Sequence, residues 1–258
     1  MKISIIIPVY NSEQILDELI ERINNVLKQI NLKDYSEIIM INDYSADGSW
    51  KKIKDLSSEN SNIRGLNLTE NFGQHNALLA GLNFCSGDSV ITLDDDLQHP
   101  PEFFPNILEK LKVHKICYTN YKNRKHLTWK KIVSKLNNIV SSFLLDKPLH
   151  IYMSSFRGLS REIVLEIIKF KGSNVYLDGL IIQSTKNIGM ITVDHHARKK
   201  GASNYTFKKL LVLWSNMIMN FSFLPFRPAS LIGISLKFFI KLFRKDNKKK
   251  QYEILEQI

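Results

Sequence analysis

Cysteine is scarce. The 258 residues include only Cys85 and Cys117, too few for a disulfide framework, and no C-x-x-C pair or zinc-type spacing occurs. Such usage fits a reducing, cytosol-facing location. Residues 1–9 hold an apolar run of a few residues with no small-residue cleavage site, so they read as a strand and not as a signal peptide. Long hydrophobic runs are missing too. The longest charge-free stretch, residues 210–226, falls short of the ~20 apolar residues a spanning helix needs, and it carries Ser215, Asn216, Asn220 and Pro225. The next apolar stretch, from Pro228, is interrupted by Lys237 and Lys241. Acid is in short supply: 25 Asp and Glu against 36 Lys and Arg leave a net charge of +11. That surplus predicts an anionic partner, whether nucleic acid, phosphorylated ligand or acidic membrane. No RRM, KH, helix-turn-helix or zinc-finger pattern accompanies it, so nucleic acid is not expected.

What is present is a globular pattern. A hydrophobic content of 44% excludes wholesale disorder, and the length allows a sizeable core. Residues 3–9 form a nearly continuous apolar run, as in a buried parallel strand. Ser12 can cap a helix whose apolar positions run from Ile15 to Ile30 at helical spacing. Further strands are predicted over 37–42, 63–69, 89–93, 116–119, 154–159 and 188–194. Helices are predicted over 47–56, 74–84, 101–111, 126–145 and 161–170. Strand–helix alternation of this kind means a mostly parallel α/β sheet covered by helices, and ligands bind such sheets at the carboxyl ends of the strands. Four polar clusters follow strands: Tyr10-Asn11, residues 43–49, residues 71–75 and residues 94–99. They should converge on one edge of the sheet.

Asp94-Asp95-Asp96-Leu97-Gln98 carries the sharpest chemical signal. Three adjacent acids repel one another unless a cation sits among them. A strand end projects alternate residues to one side, so Asp94 and Asp96 can share a face. Carboxylate oxygens with an amide oxygen from Gln98 suit Mg²⁺ or Mn²⁺ rather than zinc.

In order along the chain stand Pro8-Val9-Tyr10-Asn11, Asn42-Asp43-Tyr44-Ser45-Ala46-Asp47-Gly48-Ser49, Asn71-Phe72-Gly73-Gln74 and Asp94-Asp95-Asp96-Leu97-Gln98-His99-Pro100-Pro101-Glu102. The chain resembles the family 2 glycosyltransferases, with their GT-A fold, and in wording it is similar to the branch that acts on polyprenyl phosphates. Arg198-Lys199-Lys200-Gly201-Ala202-Ser203-Asn204-Tyr205 resembles a later motif of that branch. The resemblance covers roughly residues 1–230. It implies a nucleotide-sugar site lined by Pro8, Tyr10, Asn11, Asp43, Asn71, Gly73, Gln74, Asp94, Asp95 and Ser203, with Asp43 accepting from the base. It implies a metal held by Asp96 and Gln98 with Asp94 beside it, and catalytic roles for Asp94, Asp96 and Arg198. Acceptor or membrane contacts would fall to Arg124, Lys130, Lys131, Arg157, Tyr205 and Trp214. Asp47 is expected to be a turn-capping residue. The donor would be a UDP-sugar, with dTDP- and GDP-sugars as alternatives, and transfer would proceed by single displacement with inversion.

Charge and hydrophobicity agree on where such a catalyst works. Residues 206–258 hold ten Lys or Arg and three Asp or Glu, interleaved with aromatic and aliphatic side chains. This reads as membrane-interface helices and a basic tail following a catalytic domain over 1–205. The expectation is a peripheral protein at the cytoplasmic face of the cell membrane. It would meet a polyprenyl (undecaprenyl) phosphate there, alone, as a homo-oligomer or beside an integral-membrane partner. The chain also departs from the family pattern at Asn42, Ile151 and Asn204. Two alternatives stay open: transfer to a glycan acceptor, and, motivated by these departures, a catalytically silent partner subunit.

Overall fold

The structure, a computed structural model, describes residues 1–122, 138, 141–142, 145–172, 175–194 and 250–258. The expected basic helix over 126–145 lies almost wholly outside the described residues. So do Arg124, Lys130, Lys131, Arg198, Ser203, Tyr205, Trp214 and the apolar segment 206–249.

In chain order the elements are β1 (Ile3–Val9), α1 (Leu16–Gln29), β2 (Ser36–Asn42), α2 (Ser49–Glu59), β3 (Ile63–Leu68), α3 (Gln74–Phe84) and β4 (Ser89–Thr92). There follow α4 (Phe104–Leu111), β5 (Ile116–Lys122), β6 (Arg157–Ser160), α5 (Arg161–Ile167), α6 (Leu177–Ser184), β7 (Ile188–Asp194) and β8 (Ile254–Gln257). The eight strands form one sheet in the order β7-β5-β6-β4-β1-β2-β3-β8. The central four, β4-β1-β2-β3, are all parallel, with Ile3 opposite both Ser36 and Ser89. β6 runs antiparallel between β4 and β5, and β7 is parallel to β5.

Period-two alternation divides the core. Ile5, Ile7, Ile38 and Met40 pack with α1, α2 and α4 on one face, and Ile6, Ile39 and Ile41 pack with α3, α5 and α6 on the other. Every residue of β1 and of β2 is buried, which explains why both strands read as apolar runs. α1 buries Leu16, Leu19, Ile20, Ile23, Val26 and Leu27 along one stripe, the spacing its sequence predicts.

Two elements were not legible in advance. Within α6, Leu177, Gly179, Leu180, Ile181 and Ile182 are all buried, so it shows no amphipathic period. β8 carries one exposed acid, Glu256, and follows a lysine run, so it reads as tail. Residues 250–258, expected as part of a basic tail, instead return to the sheet. β8 pairs antiparallel with β3, Gly65 and Ile258 exchange backbone hydrogen bonds at 3.0 Å, and the Trp50 indole donates to Glu256 at 2.8 Å. This contact closes an edge that β3 would otherwise present to solvent. Removing residues 250–258 should cost about 2–3 kcal/mol of apolar burial and pairing, roughly 5–10 °C in Tm, with concentration-dependent association through bare β3. Thermal unfolding and light scattering of the truncated chain check this.

Candidate active site

The strands β3-β2-β1 build outward in one direction and β4 joins on the other side of β1. The chain therefore switches direction between β1 and β4, where open α/β sheets form a ligand crevice. All four polar clusters leave the carboxyl ends of these strands, and hydrogen bonds tie each to the next.

The β1 loop is joined to the β2 loop. The Asn11 amide donates to Ser45 Oγ at 3.0 Å, and its side-chain oxygen accepts from the Ala46 amide at 2.8 Å. The Ser12 amide donates to Ser49 Oγ at 2.9 Å, and Glu13 accepts from the Gly48 amide at 3.1 Å. Asp47 accepts from the Ser49 amide at 3.0 Å, from its hydroxyl at 2.5 Å and from the Glu13 amide at 3.2 Å. Burial pushes the Asp47 carboxyl up, but these bonds outweigh it and the net shift is downward. Its environment is that of a turn organiser. Ser12, expected to cap α1, makes no capping bond. Its hydroxyl donates to Asp95 at 2.5 Å, because the carboxylate is the stronger acceptor.

The β2 loop is joined to the β3 loop through Asp43. This residue is buried, and its two oxygens accept from the Phe72 and Gly73 amides at 2.8 and 2.9 Å. Desolvation pushes its carboxyl up, and the two amides pull the other way without cancelling the rise. Asn71 donates to the Asp43 carbonyl at 3.2 Å. Asp43 thus shapes the donor-side loop directly, leaving only its remaining lone pairs to reach a base. Asn42 is also committed: its amide donates to Asn67 at 2.7 Å in the buried interior.

Gly73 has φ +86 and ψ 157, a region essentially reserved for glycine. A Cβ there would meet nothing within 4 Å, so the requirement is conformational and not steric crowding. Gly73→Ala should cost about 1–3 kcal/mol and displace the amide that holds Asp43. Urea unfolding measures the first effect and nucleotide titration the second.

The acidic turn sits at the switch point. Asp94 Oδ1 accepts from Gln74 Nε2 at 2.6 Å and Oδ2 accepts from Ser155 Oγ at 2.8 Å. Its amide donates to His99 Nδ1 at 2.9 Å. The His99 ring stacks between Phe156 and Tyr121, with interplanar angles of 13° and 16°. Asp95 faces the β1 loop, accepting from the Tyr10 amide at 3.0 Å as well as from Ser12. Desolvation first, opposed by those two bonds and reinforced by the neighbouring Asp94 and Asp96 charges, pushes its carboxyl up to about 6. Asp95 is thus tied to the β1 loop through one oxygen, Oδ2. Asp96 is buried and accepts from the Gln98 amide at 3.1 Å. Between them Leu97 adopts φ 60. Asn11, Tyr44 and Leu97 share this left-handed backbone, and all three lie on the loops that meet at the switch point. Strain concentrated this way is a mark of functional loops.

Pro8 belongs to β1 and is buried. Tyr10, which a sheet-edge plug would bury, is 48% exposed, and Tyr44 is 59% exposed. Two open aromatic rings therefore stand on the loops after β1 and β2. Tyr44 was not singled out from sequence; its position in a turn just past Asp43 was the available signal.

Arg157 requires a correction. Expected to face the acceptor, it is instead 1% exposed and its guanidinium is paired with Asp178. Nε donates to Thr92 Oγ1 at 3.3 Å, and the guanidinium lies 5.7 Å from the Tyr118 ring centroid. An arginine this deep has to find an internal carboxylate, and Asp178 at the start of α6 supplies it.

Among the described residues no group of three or more His, Cys, Asp or Glu side chains is arranged to hold a metal ion. The donor set nevertheless fits Mg²⁺ or Mn²⁺. These ions need only one or two carboxylates when substrate phosphates complete the coordination shell, and Asp94 and Asp96 supply hard oxygen donors at the crevice. No helix among the described residues is long and apolar enough to cross a membrane.

Comparison with known proteins agrees with this geometry. Over 234 residues the chain is 31% identical to the undecaprenyl-phosphate 4-deoxy-4-formamido-L-arabinose transferase of Proteus mirabilis (strain HI4320), covering 90% of this chain and 71% of that protein. Glucosyl-3-phosphoglycerate synthase from Mycobacterium tuberculosis, solved with Mn²⁺, UDP and phosphoglyceric acid, superposes with a TM-score of 0.61 at 18% identity, over 84% of this chain and 76% of that one. TarS 1-349 of S. aureus, solved with UDP-GlcNAc, gives a TM-score of 0.56 at 18% identity over 94% and 73%. These structures share the GT-A fold seen here. The profile of glycosyl transferase family 2 matches residues 4–168, and with the ordered loops and the acidic turn in place the chain belongs to that family, as a glycosyltransferase.

Proposed function

We propose that this glycosyltransferase moves a sugar from a nucleotide-sugar donor to a polyprenyl phosphate, by metal-dependent single displacement with inversion. The observation that carries the reading is the convergence of the loops after β1, β2, β3 and β4 on one crevice, where hydrogen bonds tie Asp94 and Asp95 of the acidic turn to the loops after β3 and β1. The relative that acts on undecaprenyl phosphate supports the choice of acceptor. Mn²⁺ and UDP in a structure of the same fold support the choice of donor chemistry.

Tyr10 and Tyr44 offer apolar faces to a nucleobase, and the loop shaped by Asp43, Asn71 and Gly73 borders them. Asp94, Asp96 and Gln98 would hold the divalent ion. When bound, the ion neutralises charge on the leaving diphosphate. The chain's own contribution is orientation: Gln74 and Ser155 fix Asp94, and the Gln98 amide holds Asp96 across the Leu97 turn. A phosphate acceptor is already anionic near neutral pH, so no strong general base is required. Arg198 and Ser203 would add charge-assisted contacts to phosphate. The basic, aromatic sequence over 206–243 would hold the protein at the cytoplasmic membrane face as a peripheral protein, with its lysines toward anionic lipid.

The acceptor assignment is tested by offering undecaprenyl phosphate and undecaprenol in parallel with a labelled nucleotide sugar. Label should enter the lipid only when the phosphate is present. Equal labelling of the alcohol, or labelling of added glycan instead of either lipid, refutes the assignment.

A further inference from the structure

Asp94 is gripped from two sides that belong to different parts of the fold. Gln74, at the start of α3, holds Oδ1 at 2.6 Å. Ser155, in the segment leading into β6, holds Oδ2 at 2.8 Å. Ser155 does not stand alone. Its carbonyl accepts from Thr92 Oγ1 at 2.6 Å, and Thr92 Oγ1 accepts in turn from Arg157 Nε at 3.3 Å. Arg157 is locked by Asp178. An unbroken chain of polar contacts therefore runs from the buried ion pair to the acidic turn.

We infer that Ser155 is a positioning residue that sets the Asp94 carboxylate for the donor, and that the Arg157–Asp178 pair holds Ser155 in register through Thr92. The inference rests on the reading of Asp94 as a donor-side group. A carboxylate held at one oxygen can rotate about its Cβ–Cγ bond, whereas one held at both presents a fixed pair of remaining lone pairs. Preorganisation of this kind acts on binding and catalysis without adding a contact to the substrate.

The test compares Ser155→Ala with Ser155→Thr, which keeps a hydroxyl. UDP, dTDP and GDP are titrated in the presence of Mn²⁺, and donor and acceptor KM are measured alongside. Loss of a hydrogen bond to a charged group predicts about a tenfold weaker nucleotide affinity in Ser155→Ala. Donor KM should rise in step, acceptor KM and Tm should stay unchanged, and Ser155→Thr should recover most of the affinity. The inference fails if Ser155→Ala binds within twofold of the unsubstituted protein, or if affinity and Tm fall together in both variants. If the unsubstituted protein binds none of the three nucleotides with Mn²⁺, the donor reading itself fails, a result distinct from the other two.

Discussion

Asp96→Asn should reduce sugar transfer by at least about 10³-fold while leaving the fold intact. An asparagine keeps an oxygen that can accept from the Gln98 amide, as Asp96 does at 3.1 Å, so the turn through Leu97 survives. What disappears is the negative charge offered to a divalent ion. Stabilisation of charge on a leaving diphosphate contributes several kcal/mol, and about 4 kcal/mol corresponds to the stated factor. Asp96→Ala should lose as much activity and somewhat more stability, since it also removes the turn acceptor. Residual activity above one tenth in Asp96→Asn, measured with saturating Mn²⁺, contradicts this role.

The second large effect is on stability. Asp178→Asn should destabilise the protein by about 3–5 kcal/mol, because it leaves the Arg157 charge buried and uncompensated; for a chain of this size that is roughly 10 °C or more in Tm. Burial alone would push the Arg157 guanidinium down. Asp178 and the Tyr118 hydroxyl more than reverse this, and Tyr118 also donates to Asp178 at 3.1 Å. Replacing both partners with apolar residues, as in Arg157→Met with Asp178→Leu, should recover most of the loss, since no unpaired charge remains. A double-mutant cycle by urea unfolding gives the coupling. Single variants within 1 kcal/mol of the unsubstituted protein contradict the assignment.

Much of this architecture could be read from the residues. The apolar runs of β1 and β2, the stripe of α1 and the strand–turn positions of Asp43 and Asp94 are local signals, and local physics decides them. The partners of those residues are not local. Nothing in the sequence says that Ser12 prefers Asp95 to the end of α1, or that the Asp43 oxygens close on the Phe72 and Gly73 amides; both depend on which loops the sheet order makes neighbours. Arg157 misled for the same reason. The resemblance assigns it to acceptor or membrane contacts, and only the placement of α6, itself without helical periodicity, brings Asp178 against it. β8 was hidden because an edge strand is stabilised by what it pairs with more than by its own composition.

The most direct test of the central claim is to incubate the protein with Mn²⁺, undecaprenyl phosphate in detergent and a panel of labelled UDP-, dTDP- and GDP-sugars, and to count label in the organic phase. The account predicts lipid-borne label from one donor, dependent on the metal and lost in Asp96→Asn. Label that stays in the aqueous phase for every donor, while nucleotide sugar is still bound, would contradict a polyprenyl-phosphate acceptor.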